Sequence, residues 1–547
     1  MAQQIPVLIL KEGTQRTRGK DAQRNNIAAA ILVGDVIKTA LGPRGMDKML
    51  VDSFGDITVS NDGATILKEM DIAHPAAKMV VEVAKTVDQE VGDGTTTSAV
   101  LTGELLKEAE KLLDEKIHPT VIVEGYRAAA RKAAEILEEI AEPVDLENTK
   151  TLKKILKDAA MTSMSSKFVS TNKEMLADLV VNAVLEIAKK NEDGTYKVKK
   201  DNVRLVKKEG ASVDKTELIH GLVLDKEVVH AGMPKKVEDA KIALLEAPLE
   251  ITKTEFDAKI NISDPTQMQL FMQEEERMLR EMVDAIVKTG ANVVFCQKGI
   301  DDLAQHFLAK AGILAVRRVK RSDIEAIHKA TGATIVTNIT NITAKDLGKA
   351  KVVEERKVQE DNMVFIEGVP NKDVITIMIR GGTEHVVDEV KRALDDAVSV
   401  VRNILQKPKI VYGGGATEIE LALRLYKYAN SLEGRSQLAA ESFARALETI
   451  PAILASNAGL EPIDIIAELK KAHSAENAKA YGIDLFKGKV VDMAKSRVIE
   501  PMVVKQQSIL SASEASEMIL RIDDVIMAKA GGGPKPPNPE NRPPDED

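Results

Sequence analysis

The segment Val91-Gly92-Asp93-Gly94-Thr95-Thr96-Thr97-Ser98 concentrates residue types that do chemistry. Its two glycines permit tight turns and close approach of the backbone to a ligand. Four hydroxyl residues follow, and Leu101, Leu105 and Leu106 then set a helical period. A loop that opens a helix presents unpaired N–H groups and the positive end of the helix dipole, which suit an anion such as phosphate. Asp93 beside phosphates suits a hard cation such as Mg²⁺, commonly held by one or two carboxylates plus phosphate oxygens. A hydroxyl-rich N-cap accounts for the same residues without a ligand, so both readings stand at this level.

Three further turns share that logic. Leu41-Gly42-Pro43-Arg44-Gly45 closes one helix, Asn61-Asp62-Gly63-Ala64-Thr65 opens another, and Gly413-Gly414-Gly415-Ala416 follows the strand-like run Lys409–Tyr412. Each alone is an ordinary turn. No G-x-x-x-x-G-K-[ST] pattern occurs, which excludes a P-loop NTPase, and no G-x-S-x-G or H-E-x-x-H occurs. The histidines, His74, His118, His306 and His385 among them, are scattered and make no metal-ligand spacing. In the predicted helix from Glu384 to Leu405, an apolar stripe runs through Val387, Val390, Leu394, Val398, Val401 and Leu405. Asp396 falls opposite it, which by periodicity is a solvated face. Asp388 and Asp395 read as surface charges.

The elements that must position these residues divide the chain. Helical patterning runs from Asp21 to Ala40, and a hairpin is predicted over 49–60 around Phe54-Gly55-Asp56. More helices run to about Ile140, and again over Thr151 to Lys190. Short apolar runs then alternate with helices: Ile242–Leu245, Val293–Phe295, Ile313–Val316, Thr334–Val336, Val364–Ile366 and Val374–Ile379. That alternation is α/β patterning. After Pro408 the chain is helical to about Ala515, and Ile519–Met527 reads as a final strand. The segment 531–547, rich in Pro, Gly and charge, is predicted to be disordered.

With 547 residues, a net charge of -9 and no basic block, the composition excludes a general nucleic-acid binder. The single cysteine, Cys296, lies in an apolar run and is predicted to be buried and inert. No apolar run reaches the roughly 20 residues that span a bilayer, and the N-terminus lacks a signal-peptide pattern. The expectation is a cytoplasmic protein with no membrane partner. Within residues 246–290 the run TQMQLFMQEEERMLREMVDAIVKTG is unusually rich in methionine, with Met268, Leu270, Phe271, Met272, Met278, Leu279 and Met282. They fit an amphipathic core helix, or an adaptable surface for many partner shapes.

LGPRGMDKM at 41–49, NDGATI at 61–66, GDGTTT at 92–97 and YGGGATE at 412–418 occur together, in this order, in the chaperonin family. Over essentially its whole length up to the tail, the chain resembles a group II chaperonin, the thermosome type. The resemblance implies a multidomain α and α/β fold. A mainly helical, discontinuous equatorial ATP-binding domain would take residues 1–146 and 406–530. A small intermediate hinge domain would take 147–217 and 370–405. An α/β apical client-binding domain would take 218–369, with a helical protrusion, or lid, at about 246–280.

It further implies an ATPase with ATP and Mg²⁺ as cofactors. Asp62 and Asp396 would be catalytic, and Asp93 would ligate the metal. Leu41, Gly42, Pro43, Gly94, Thr95, Thr96, Thr97, Ser98, Lys167, Gly414, Gly415 and Glu500 would bind the nucleotide. Glu500 stands where group I relatives have aspartate at a ribose contact, and Lys167 matches a sensor of the γ-phosphate. The partners would be other chaperonin subunits, eight or nine per ring in a double ring of one or more subunit types, and non-native client proteins, with no separate lid co-chaperonin. Neighbours would join through the hairpin over 49–60 and terminal strands at Pro6–Leu10 and Ile519–Met527. A metabolic kinase or ligase is the alternative, and a passive nucleotide-binding ring scaffold a third reading. The first lacks a second catalytic constellation, and the second is disfavoured by Asp62, Asp93 and Asp396 together.

Overall fold

Apolar residues from the two ends of the chain meet in one helical core. This computed structural model describes residues 15–166, 172–251, 265–371, 373–475 and 478–527. The first part contributes α1 (Gly19–Ile37), α2 (Gly63–Glu69), α3 (Pro75–Val91), α4 (Thr95–Asp114) and α5 (Pro119–Ile140). α3 and α5 start alike. A histidine side chain, His74 or His118, accepts from a first-turn amide, and a proline with preset φ follows. α5 then buries Ile122, Tyr126, Ala133 and Leu137 on one stripe.

The middle of the chain is inserted into this body. α7 (Lys173–Ile187), with α6 (Thr149–Ser163) against it, packs on a three-stranded sheet in which Ile375–Gly381 lies between Val203–Glu209, parallel, and Glu217–Ile219, antiparallel. Beyond it lies a seven-stranded sheet. Its central strands Lys236–Leu245 and Gly348–Val358 are antiparallel, and Val293–Cys296 and Leu314–Val316 extend it in parallel. α8 (Pro265–Thr289), α9 (Asp302–Lys310) and α10 (Arg321–Thr331) accompany this sheet. The chain returns through α11 (Glu384–Gln406), whose apolar stripe packs into the core of the smaller sheet.

α12 (Ala416–Ala429), α13 (Arg435–Asn457), α14 (Pro462–His473), the short α15 (Met493–Ser496) and α16 (Met502–Leu520) then complete the helical body. Contacts between distant chain segments lock it. Tyr126 donates to the Leu105 carbonyl at 2.7 Å and meets Phe443 edge-on at 5.6 Å between ring centroids. Arg445 reaches Glu108 at 2.9 Å, and Arg127 reaches Glu517 at 2.8 Å.

The hairpin pairs Lys48–Val51 with Ile57–Ser60, and Asp52 shapes its turn by accepting from the amides of Phe54 and Asp56. It stands out with Met49, Val51, Ile57 and Phe54 exposed, Phe54 at 91 %. One sequence expectation needs correction. Ile519 and Leu520 end α16, buried, so the last strand is only Asp524–Met527. That strand pairs antiparallel with Gln15–Arg18 of the same chain, with an Arg16–Asp524 ion pair. Pro6–Leu10, Ile260–Ile262 and the tail 531–547 lie outside the described residues.

α8 realises both readings of its methionine-rich sequence. Leu279, Val283 and Ile286 are buried against the sheet, whereas Leu270, Phe271 and Met272 are exposed. Cys296 is buried, and burial pushes its thiol up to about 11. Thiol reagents attack the thiolate. We therefore expect no maleimide labelling of the native protein at pH 8, where the thiol stays protonated, and full labelling after denaturation. Mass spectrometry reads both.

Candidate active site

A cavity of about 430 Å³ lies where the helical body meets the inserted segments. Its size falls in the range of roughly 300–1,000 Å³ usual for small-molecule pockets. One wall is the start of α4. Gly92 ends α3 and Gly94 caps α4, both in the left-handed conformation that glycine tolerates, with φ of 67° and 81°. No side chain caps the first turn of α4, so the amides of Thr95, Thr96 and Thr97 open onto the cavity with the positive end of the helix dipole. Asp93 lies beside them, and one of its oxygens accepts from the Gly94 amide at 2.7 Å.

Asp62 caps α2. Its Oδ2 accepts from the amide of Thr65 at 2.9 Å and the hydroxyl of Thr65 at 2.7 Å. Oδ1 receives the Thr95 hydroxyl at 3.3 Å, tying α2 to the first residue of α4. A Cβ on Gly63 would lie 2.8 Å from the Thr96 backbone, so these two helix starts meet backbone to backbone.

The far end of the chain supplies further lining of the cavity. Gly414 and Gly415 have φ of 66° and 80°, and α12 begins there without a side-chain cap. The antiparallel hairpin Tyr481–Asp484 and Lys489–Asp492 crosses Gly414, with the Ile483 amide donating to the Gly414 carbonyl at 2.8 Å. His473 pins this hairpin, its ring nitrogens 2.8 Å from Glu420 and 2.7 Å from the Tyr481 carbonyl. That contact holds the Glu420 carboxyl below its usual range. Asn457 of α13 donates to the carbonyls of Lys38 and Leu41 at 3.0 and 2.9 Å and so fixes the Leu41-Gly42-Pro43 turn on the same cavity.

α11 brings Asp396 to the wall. The residue is partly buried, so the solvated-face expectation gives way to a cavity-lining position. Its neighbours are tethered elsewhere: Asp395 pairs with Lys200 at 2.7 Å, and Asp388 pairs with Lys207. α11 docks on the C-terminus of α3, where Arg402 and Asn403 donate to the Glu90 and Val91 carbonyls, each at 2.8 Å. These donors satisfy carbonyls that a helix end leaves without partners.

The structure thus brings Leu41, Gly42, Pro43, Asp62, Asp93, Gly94, Thr95, Thr96, Thr97, Asp396, Gly414, Gly415 and Glu500 around one cavity. Ser98 is a correction. It is fully enclosed, donates to the Thr95 carbonyl at 2.8 Å and does not reach the wall. Lys167 lies outside the described residues. Gly92 and Gly94 also differ from expectation. Their bare faces meet protein, since a Cβ on Gly92 would overlap the Ser399 side chain of α11 and one on Gly94 would lie 2.5 Å from the Ser508 hydroxyl of α16. Lys173, Glu418, Lys505 and the hairpin residues Ile483 to Lys487 line the cavity and were not singled out from the sequence.

A sequence model of the TCP-1/cpn60 chaperonin family matches residues 33–530. The chain belongs to that family. Its relatives place it on the group II, or thermosome, branch. It is 59 % identical to thermosome subunit alpha of Archaeoglobus fulgidus, over 98 % of each chain. Against thermosome subunit beta of Thermococcus kodakarensis it is also 59 % identical, over 96 % of this chain and 95 % of that protein. Among solved structures, an open-state monomer of a group II chaperonin from Methanococcoides burtonii superposes with a TM-score of 0.60 at 47 % identity, covering 79 % of this chain and all of that one. The multidomain chaperonin fold and an ATP-dependent chaperone function go with this membership. Among the described residues, no helix of this chaperonin is long and apolar enough to cross a membrane.

Proposed function

We propose that the chain is an ATP-hydrolysing subunit of a closed double-ring chaperonin that encloses and folds non-native proteins in the cytoplasm. The observation that supports it most is the convergence of uncapped helix starts and the carboxylates Asp62, Asp93 and Asp396 on one cavity built from both chain ends. In this reading the helical body is the equatorial domain, α6, α7, α11 and the small sheet form the hinge, and the seven-stranded sheet is the apical domain.

The amides of Thr95 to Thr97 and the Gly42 turn hold the phosphates, and the Gly414-Gly415 turn admits the nucleoside. Asp93 would hold the Mg²⁺. Among the described residues no group of three or more acidic, His or Cys side chains forms a metal cage. The Asp93 carboxylate beside the helix-start amides fits a cation held by one or two carboxylates together with substrate phosphates. When bound, the cation would offset charge on the phosphate oxygens. Asp396 orients the attacking water and takes its proton, while Asp62 holds Thr95 and the water's approach. Charge neutralisation and positioning carry most of the rate.

Closure follows when ATP favours the closed state over the open one. The exposed Leu270, Phe271 and Met272 of α8 then pass from client contact to lid contact, with no separate lid protein. The exposed apolar hairpin over 48–60 joins neighbours, where pairing protects its edges. Two measurements test this. Phosphate release should need no small-molecule acceptor and should vanish in excess EDTA. Electron microscopy should show double rings that change shape with ATP. Undiminished turnover in EDTA overturns the Asp93 assignment, and a monomer in every condition overturns the ring.

A further inference from the structure

Lys505 and Glu418 have no part in the mechanism above, yet both stand on the cavity wall. Lys505, near the start of α16, places its ammonium 2.7 Å from Glu418 Oε1 and 2.9 Å from Glu500 Oε2. The side chains of Lys505 and Glu418 are 11 % and 3 % exposed. Neither Glu418 oxygen receives a well-aligned hydrogen bond among the described residues, so the Lys505 ion pair is its compensation. A buried ion pair adds little stability compared with apolar side chains of the same volume. Its value lies in what it holds.

Glu500 is held from two sides. Its backbone sits opposite Val411 in the strand that leads to the glycine turn. Its Oε1 lies over the bare Cα of Gly413, where an added Cβ would come within 2.7 Å. Its other oxygen meets Lys505.

We infer that Lys505 is a positioning residue: with Glu418 as its counter-charge, it fixes the Glu500 carboxylate as an acceptor for the sugar hydroxyls of the bound nucleotide. This rests on the ATP-site reading. The charge balance agrees. Burial opposes the Lys505 ammonium, but Glu418 and Glu500 more than offset that and raise its pKa. Burial also raises the Glu500 pKa, and Lys505 opposes that shift.

The test is equilibrium binding of ATP, 2′-deoxy-ATP and 3′-deoxy-ATP to the full chain. The wild type should prefer ATP over at least one deoxy analogue by about tenfold or more, as expected for a hydrogen bond to a charged group. Lys505→Met should lose the preference and Lys505→Arg should keep most of it. Lys505→Met combined with Glu418→Gln removes both buried charges together. It should fold and bind the triphosphate while treating the three nucleotides alike. Glu500→Ala leaves the Lys505–Glu418 pair in place and should also lose the preference. Wild-type discrimination in either of these last two proteins overturns the inference, and so does a wild type that binds ATP without preferring it. A wild type that binds no nucleotide overturns the site reading instead.

Discussion

Asp396→Ala should cut ATP turnover by about 10²- to 10⁴-fold, the usual contribution of a positioned proton acceptor. Binding of Mg-ATP should change little, because the amides of Thr95 to Thr97 and the two glycine turns remain. The separation follows from where Asp396 sits. It is carried by α11, which returns from the inserted part of the chain, whereas the start of α4 belongs to the helical body. On the proposed reading its carboxylate is a group that the hinge would present to the nucleotide rather than part of the binding cradle. Asp395→Ala is the control, since Asp395 pairs with Lys200 and does not line the cavity. It should weaken one tether of α11 and leave most of the turnover. Single-turnover phosphate release and equilibrium binding, measured on the same preparations, separate the two effects. Parental turnover in Asp396→Ala would remove the residue from the mechanism.

Gly92→Ala is expected to lose about 10²-fold in turnover, although Gly92 need touch no substrate atom. Its left-handed φ of 67° makes a side chain unfavourable by about 1–2 kcal/mol. The larger effect is steric. The new methyl would overlap Ser399, one turn after Asp396 on α11. α11 cannot retreat freely, because Arg402 and Asn403 bind the end of α3 at the same corner. The helix must tilt, and Asp396 tilts with it. A displacement of about 1 Å at a reacting group costs a rate factor of this size. Ser399→Gly makes room for the methyl, so the double variant Gly92→Ala with Ser399→Gly should recover much of the lost turnover. A thermal midpoint on each protein guards against mistaking instability for misplacement. If Gly92→Ala keeps full turnover, the Ser399 contact does not set the position of Asp396.

These two residues also show what the sequence made legible. The glycine and hydroxyl segments at 41–45, 61–65, 92–98 and 413–416 were visible as turns next to helix ends, because turns need residue types that are local in sequence. Where the bare glycine faces would point was not visible. Ser399 and Ser508 reach Gly92 and Gly94 from helices some 300 and 400 positions further along, a tertiary fact that no local pattern carries. Periodicity placed Asp396 opposite the apolar stripe correctly, and could not distinguish water from a cavity on that side. Ser98 looked like a fourth phosphate hydroxyl, but one position further along α4 the helix turns it inward, where it bonds the Thr95 carbonyl. Lys505 follows no motif, and its role emerges only once α16 is packed against α12 and the strand carrying Glu500.

The fold was legible in similar proportion. The alternation of short apolar runs with helices marked the inserted sheet, since buried strands are nearly continuous in apolar residues. The end of the chain was misjudged because Ile519 and Leu520 are apolar and β-prone in isolation. They finish α16 in the helical core, and the strand starts only at Asp524. In α8 a single methionine-rich sequence serves two environments, and composition could not locate the change from exposed Met272 to buried Leu279.

The central claim is that distant parts of the chain converge on one triphosphate. Photo-crosslinking with an azido-adenine analogue of ATP, followed by peptide mapping, tests it most directly. Labelled peptides are predicted from the segments around 413–418 and 481–505, with protection by unlabelled ATP extending to 41–45 and 92–97. Label confined to residues 218–369 would contradict the account.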